Sequence, residues 1–217
     1  MSERAFATLR GFIRRPAPIE RCELCNVALP PEHQHLIEPA NRKLSCACEA
    51  CSLLFHNHGE KKYKRVPRRV RFLPNFELTD SQWDGLMMPI NMAFFFKSTP
   101  LGRVVALYPS PAGATESLLS LDTWEDLVLD NPVLEQMEAD VEALLVNRIG
   151  HSRGYTSPEY YLAPIDECYK LVGLIRSHWQ GLSGGTEVWK EIAGFFAGLK
   201  AKSPRAPTAL LQENAHA

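Results

Sequence analysis

The sequence has no long hydrophobic run. Its most apolar stretch, residues 92–96, is far shorter than the roughly 20 apolar residues that a membrane-spanning helix needs. The first residues, MSERAFATLRGFIRR, lack the continuous apolar core and the small-residue cleavage site of a secretory signal. We therefore expect no membrane span and a cytoplasmic location.

The chain also has almost no net charge. A net charge of -1 and an isoelectric point near 6.7 exclude an overall electrostatic attraction to nucleic acid or to anionic membranes. No GxxxxGK[ST] loop and no internal repeat is present in the sequence, which argues against a P-loop nucleotide site and a repeat architecture. No catalytic constellation stands out either. The sequence thus favours a non-enzymatic protein and leaves enzymatic activity open.

What the sequence does have is a cluster of cysteines near its start. Two CxxC pairs, Cys22 with Cys25 and Cys48 with Cys51, are separated by a loop. A two-residue spacer lets one tight turn direct both thiolates at a single ion, and two such turns complete a tetrahedron. Because cytoplasmic thiols stay reduced, this spacing favours a metal site over disulfides. We predict that the four cysteines bind one metal ion.

A four-sulfur shell leaves no open position for a substrate, so we expect a structural metal. Its binding would supply folding free energy to a small segment, about 10 kcal/mol or more by analogy with zinc fingers. Zinc is favoured because it is the most prevalent ion in such sites. Iron remains the alternative, since four thiolates also suit a single iron centre or a cluster.

Three further side chains near the pairs are candidate ligands. Cys46 and Cys48 face the same side of an extended segment, so either could approach the ion; we interpret Cys46 as an unligated core thiol. His33 and His35 also share a face and could be ligands or could exchange protons. Because we place them in a loop, we interpret them as solvated or hydrogen-bonding histidines.

The pattern along the chain predicts four segments and an α+β fold. They are an N-terminal arm (1–18), a small zinc-ribbon-like metal module (19–60), an α+β domain (61–202) and a flexible tail (203–217). Strands in pairs followed by grouped helices predict a mainly antiparallel sheet with C-terminal helices.

Within the α+β domain, two apolar runs predict a hairpin, residues 91–97 and 103–108. Residues 109–117, PSPAGATES, have the composition of a loop, and Pro132 predicts the start of a helix. Apolar spacing of three and four residues predicts two amphipathic helices, after Pro164 and after Gly185.

The charges are unevenly distributed. Residues 61–71 contain seven cations, whereas residues 116–142 contain nine carboxylates and no Lys or Arg. The basic run either holds phosphate or an acidic surface, or it forms a solvated strand pair. This polarity favours a basic partner, self-association or an intramolecular match.

Several strings resemble an uncharacterised bacterial family encoded beside the genes of high-affinity nickel-iron hydrogenases. They are RRPAPIERCELCNVALPPEHQHLIEP, LSCACEACSLLF, RVVALYPSPAGATESLL, DVEALLVNR, PIDECYKLVGLIRSHWQGLSGG and EVWKEIAGFF, and the likeness spans about residues 12 to 200. The resemblance implies an accessory role in hydrogenase assembly or maturation, with a hydrogenase subunit or maturation factor as partner. It also implies that the paired cysteines belong to the family pattern. One departure is Asn26, where the family often has glycine; asparagine also tolerates a left-handed turn.

Three hypotheses follow. The first is a non-enzymatic accessory protein with a structural zinc site made of the four cysteines. The second is a rubredoxin-like electron-transfer protein that holds iron in the same thiolates. The third is a zinc-stapled histidine nuclease or nucleic-acid-binding protein with His33 and His35 at its site, although we do not expect nucleic acid as a partner. The sequence does not determine an oligomeric state.

Overall fold

The computed structural model describes residues 19–56, 62–117, 122–151, 154 and 156–203. The predicted arm, 1–18, and all but the first residue of the predicted tail lie outside the described residues. The fold is α+β, with two antiparallel sheets and helices that follow and cover them. None of the described helices is both long and apolar enough to cross a membrane.

The N-terminal module is built on a three-stranded antiparallel sheet. Strands β1 (Gln34–Glu38) and β2 (Lys43–Ala47) form a hairpin, and helix α1 (Glu49–His56) follows directly. The third strand, β3 (Lys64–Arg65), pairs with the other edge of β1. The module's sheet therefore takes one strand from the basic run that follows residue 60.

The larger sheet has six antiparallel strands in the order β4-β9-β8-β5-β6-β7. The strands are β4 (Arg71–Phe72), β5 (Met92–Ser98), β6 (Arg103–Ser110), β7 (Gly113–Glu116), β8 (Glu142–Asn147) and β9 (Glu159–Pro164).

Helices cover both faces of this sheet. The helical elements are α2 (Asp80–Gly85), α3 (Asp122–Asp130), a 3-10 helix (Pro132–Gln136), α4 (Ile165–His178) and α5 (Gly185–Lys202). Phe94 and Phe96 pack with α4 and α5, whereas Phe95 packs with α2, α3 and the 3-10 helix. Two-sided burial explains why β5 and β8 are almost continuously apolar, unlike strands with one solvated face.

Most predicted elements of the larger domain are confirmed. Strands β5 and β6 form the predicted hairpin, and α4 and α5 are the two amphipathic helices. The helix predicted to start at Pro132 is a 3-10 helix of five residues.

The loop predicted at residues 109–117 is wrong. Strand β6 continues to Ser110 and pairs with β7, with Pro109 opposite Ala114. The pairing of β5 with β6 ends at Leu107, so among the described strands Pro109 has a partner on only one side. A proline lacks only the N–H that would face the missing strand, and such a position tolerates it.

Polar contacts join the module to the larger domain. His35 Nδ1 lies 2.8 Å from Asp166 Oδ2 of α4, and Arg42 Nη1 lies 3.0 Å from Glu116 Oε2 of β7. The connecting basic segment adds Lys64, whose Nζ lies 2.7 Å from a carboxylate oxygen of the buried Asp140. The module therefore contacts the domain at three separate points.

The basic run is largely matched within the chain. Lys64 and Arg69 pair with buried carboxylates, and Arg71 donates to Gln136 Oε1 at 2.9 Å. Arg65 pairs with Glu49 at 2.8 Å. These contacts favour the pairing of opposite charges within the chain, rather than a basic partner or self-association, as the explanation for the uneven charge distribution.

Candidate metal centre

The first CxxC pair lies on a tight turn. Arg21 and Ala28 form an antiparallel bridge, and the Cys22 N–H donates to the Val27 carbonyl at 2.9 Å. Asn26 has a φ of 62°, in the left-handed region that asparagine tolerates. The turn therefore directs Cys22 and Cys25 toward the same point.

The second pair lies at the start of α1. Cys48 immediately precedes the helix and Cys51 is in its first turn, where the Cys51 N–H donates to Cys48 Sγ at 3.4 Å. The N-terminus of a helix carries free N–H groups and a partial positive charge, which stabilise a thiolate. This half of the site is a helix start, so the module combines a turn, a hairpin and a helix.

Glu23 holds the two halves together. Its backbone N–H donates to the Cys46 carbonyl at 2.9 Å, and its Oε1 accepts the Cys46 N–H at 2.9 Å. The other oxygen accepts from Ser45 Oγ at 3.3 Å. These contacts attach the first turn to β2, which leads directly into Cys48. The relative position of the two pairs is thus fixed by protein contacts.

The four sulfurs of Cys22, Cys25, Cys48 and Cys51 all lie within 4.8 Å of one another. Cys25 Sγ and Cys48 Sγ are 3.7 Å apart. A zinc ion at about 2.3 Å from each sulfur of a regular tetrahedron requires sulfurs about 3.8 Å apart. Four thiols at this spacing fit a metal ion such as zinc or iron.

The ionisation of these thiols is uneven. Burial disfavours the Cys22 thiolate, but hydrogen bonds with the backbone of Cys48, Cys25 and Leu24 outweigh it and lower the pKa of Cys22 to about 6. Burial and the neighbouring thiols raise the pKa of Cys51. Cys22 is therefore the more readily ionised of these two thiols, and a bound cation would favour the loss of the Cys51 proton as well.

Cys46 does not join this group. Strand β2 ends at Ala47 and the helix begins at Glu49, so the alternation that put Cys46 and Cys48 on one side does not extend through Cys48. Cys46 lies instead with His33 and His35, and one ligand atom from each of the three falls within 4.8 Å of the others. The interpretation of Cys46 as an unligated core thiol did not include this grouping with the two histidines.

The structure also places His35 and Cys168. His35 lies on β1 rather than in the expected loop, because the apolar Leu36 and Ile37 beside it are buried in the paired strand. Its hydrogen bond to Asp166 agrees with the interpretation as a hydrogen-bonding histidine. Cys168, in α4, is fully buried and joins no group of candidate ligands among the described residues.

Helix α1 also exposes apolar side chains. Leu53, Leu54 and Phe55 are each about half exposed, while Cys51 and Ser52 face the interior. A helix with one face buried against a site and adjacent apolar residues exposed presents a contact surface.

The larger domain has an apolar cavity of about 650 Å³. Its lining includes Ile90, Tyr108, Ile175, Trp179 and Trp189. The two tryptophan rings lie with centroids 6.2 Å apart, and Trp189 is 43% exposed. Concave apolar sites of this size accommodate a ligand or a side chain of a partner.

The fold and the cysteine cluster define an α+β protein with a four-sulfur group that can hold a metal ion. A model of DUF5947, a family of unknown function, matches residues 21–203, and the chain belongs to that family. Comparisons with curated proteins and with solved structures found no match. The matched range contains both CxxC pairs and both sheets.

Proposed function

We propose that the protein is a non-enzymatic accessory protein that acts in the cytoplasm in the assembly or maturation of a nickel-iron hydrogenase. In this role the four cysteines hold a structural zinc ion. The zinc-bound module and the α+β domain together bind a hydrogenase subunit or a maturation factor. The proposal rests on the closed four-sulfur group beside an exposed apolar helix face. Its link to hydrogenase rests on the resemblance of the quoted strings alone.

The closed shell supports a structural role for the metal. All four tetrahedral positions would be filled by Cys22, Cys25, Cys48 and Cys51, so no position is left for a substrate. The metal would fix the start of α1, and Leu53, Leu54 and Phe55 lie on that same helix. Metal binding would therefore order the surface that contacts the partner.

The first experiment is a pull-down with the full chain from cells that express the hydrogenase operon. We expect the wild type to recover a product of that operon. Leu54→Glu, on α1, should reduce recovery at least tenfold, because a charge at an apolar contact is desolvated without a partner. The matched control is Leu129→Glu on α3, where the side chain is 77% exposed and distant in sequence from the module. Recovery of no operon product by the wild type would refute the proposal.

A second candidate function is electron transfer through iron in the same four thiolates. The observation that favours it is the exposure of Cys25, which places one ligand at the surface where a redox partner can approach. Elemental analysis with a visible spectrum of anaerobically purified protein separates the two functions. A colourless protein with one zinc per four-cysteine centre excludes electron transfer, and a coloured iron protein excludes the structural zinc.

We do not propose a nuclease. Lys64, Arg65 and Arg69 form ion pairs with carboxylates of the chain, which removes much of the positive charge that a phosphate track would use. We therefore expect the protein not to bind DNA at low salt in the presence of magnesium.

A further inference from the structure

A second group of metal-ligating side chains lies beside the four-cysteine centre. His35 on β1 is directly opposite Cys46 on β2 in the hairpin register. His33 precedes β1, and its ring meets the His35 ring edge to face with centroids 4.8 Å apart. One ligand atom of each residue lies within 4.8 Å of the others.

The hydrogen bond of His33 determines which nitrogen is free. Its Nδ1 lies 3.0 Å from the Pro30 carbonyl oxygen, which can only accept, so Nδ1 carries the proton. The lone pair is then on Nε2, which is buried and has no hydrogen-bond partner among the residues that the structure describes. The His33 side chain is only 5% exposed. A buried polar atom without a partner is costly, and a metal ion would provide one.

His35 has the same protonation pattern for a different reason. Its Nδ1 lies 2.8 Å from Asp166 Oδ2, so the carboxylate accepts the Nδ1 proton and leaves the lone pair on Nε2. Most histidine ligands of metals donate their second ring N–H in this way, to a carboxylate, a backbone carbonyl or water. Asp166 lies in the first turn of α4, and its other oxygen accepts the Glu167 N–H at 2.9 Å, which fixes the carboxylate.

We propose that His33, His35 and Cys46 form a second metal site, which binds a divalent ion of the Zn²⁺ and Co²⁺ type through two imidazole nitrogens and one thiolate. Two nitrogens and one sulfur suit ions of intermediate softness. Three protein ligands leave a fourth position for water or for a group from another molecule, in contrast to the closed four-cysteine centre. The site does not depend on the hydrogenase proposal.

The position of the site gives it a second consequence. His33, His35 and Cys46 belong to the module, whereas Asp166 belongs to the larger domain. A metal on His35 strengthens the hydrogen bond from Nδ1 to Asp166, because coordination makes the ring proton more acidic. Occupancy of the second site should therefore tighten the contact between the module and α4.

The test is a Co²⁺ titration of the full-length protein purified with its four-cysteine centre filled with zinc. We expect the wild type to take up one additional cobalt per chain, with a thiolate-to-cobalt charge-transfer band and visible bands of tetrahedral cobalt. Zinc content measured on the same sample shows that cobalt has not displaced the first metal. A wild type that takes up no additional cobalt would overturn the proposal.

Variants identify the ligands. Cys46→Ala should remove both the charge-transfer band and the additional cobalt, while the zinc stays bound. His35→Gln should weaken cobalt binding, but the cobalt that does bind should keep its thiolate charge-transfer band. Asp166→Asn, which keeps the shape of the side chain, should weaken cobalt binding about 10- to 100-fold.

Cys168→Ala is the control, because this thiol is fully buried in α4, and it should bind cobalt like the wild type. Additional cobalt of unchanged affinity in Cys46→Ala would also overturn the assignment, and the far-ultraviolet circular dichroism of each variant checks that it is folded.

Discussion

His35 Nδ1 and Asp166 Oδ2 are 2.8 Å apart although the two residues are separated by 131 positions in the chain. The contact joins the first strand of the module to the first turn of α4. Neither side chain is fully exposed, at 30% and 23%. The orientation of a histidine in the N-terminal module is therefore set by a helix of the larger domain.

Cys48→Ser should remove the metal from the four-cysteine centre. Three sulfurs remain, and the module loses most of the roughly 10 kcal/mol that metal binding contributes to small zinc modules. We expect the metal content to fall by one ion per chain and trypsin to cleave the module more rapidly. Cys168→Ala, which removes a buried thiol outside the centre, should keep its metal. Equal metal content in Cys48→Ser and the wild type would contradict a four-sulfur site.

Asp140→Asn should destabilise the protein by about 3 kcal/mol, because it leaves Lys64 without its partner in a largely buried pair. The Asp140 carboxylate also accepts from the Thr99 N–H at 2.8 Å and from Thr99 Oγ1 at 2.7 Å. Asparagine suits the φ of 71° at this position, so the substitution tests the charge rather than the backbone. Urea denaturation measures the loss. The control Lys170→Ala removes the exposed cation of a pair with Glu167, in which Nζ lies 3.7 Å from Oε2. It should cost less than about 1 kcal/mol, and equal losses for the two variants would contradict the argument.

Phe95→Ala should cost about 4 kcal/mol, since it leaves a cavity in the core between β5 and the helices α2 and α3. The Phe95 ring is fully buried and lies stacked against Trp124, with centroids 5.7 Å apart. Thermal and urea unfolding monitored by tryptophan fluorescence measure the change. Leu129→Ala on the exposed side of α3 should stay within about 0.5 kcal/mol of the wild type. A small loss for Phe95→Ala would show that this face of the sheet is not a packed core.

Glu116→Gln should make stability less dependent on pH. Burial alone would raise the pKa of Glu116, but Arg103 and Arg42 lower it below its ordinary value of 4.5. The ionised form of Glu116 is therefore more strongly favoured in the folded state than in the unfolded state. This contribution to stability is present above pH 4.5 and is lost as the pH falls through the lowered folded pKa.

At pH 7 the free energy of unfolding of the wild type should exceed that of Glu116→Gln by about 1 kcal/mol, as expected for a partly buried ion pair. The difference should shrink toward zero below the folded pKa. Urea denaturation at a series of pH values from 7 downward measures it. A difference that stays constant over this range would assign the effect to packing rather than charge.

Sequence patterns predicted the larger elements because each depends on local periodicity. The apolar spacing of Cys168, Leu171, Val172 and Ile175 is enough to identify the buried face of α4. Residues 109–117 were predicted wrongly because their Pro and Gly content indicates a loop, whereas pairing at a sheet edge depends on where the neighbouring strand ends. That end point is a tertiary feature.

The candidate ligands were predictable to different degrees. The CxxC spacing brings Cys22 to Cys25 and Cys48 to Cys51 through local turns, but the approach of the two pairs also requires Glu23 and β2. The group of His33, His35 and Cys46 was missed because it depends on the register of β1 and β2. The signal available in the sequence was the shared face of the two histidines. The role of Asp166 had no local signal.

Residues 66–70 connect two different sheets, since β3 belongs to the module and β4 to the six-stranded sheet. Val66 and Val70 at the ends of this connection are both buried in the larger core. Under the proposed structural role of the metal, loss of the ion would unfold a module that is joined to the domain by a short connection with buried ends. During metal starvation the cell should therefore lose the entire polypeptide to proteolysis, and its abundance should follow the supply of the ion.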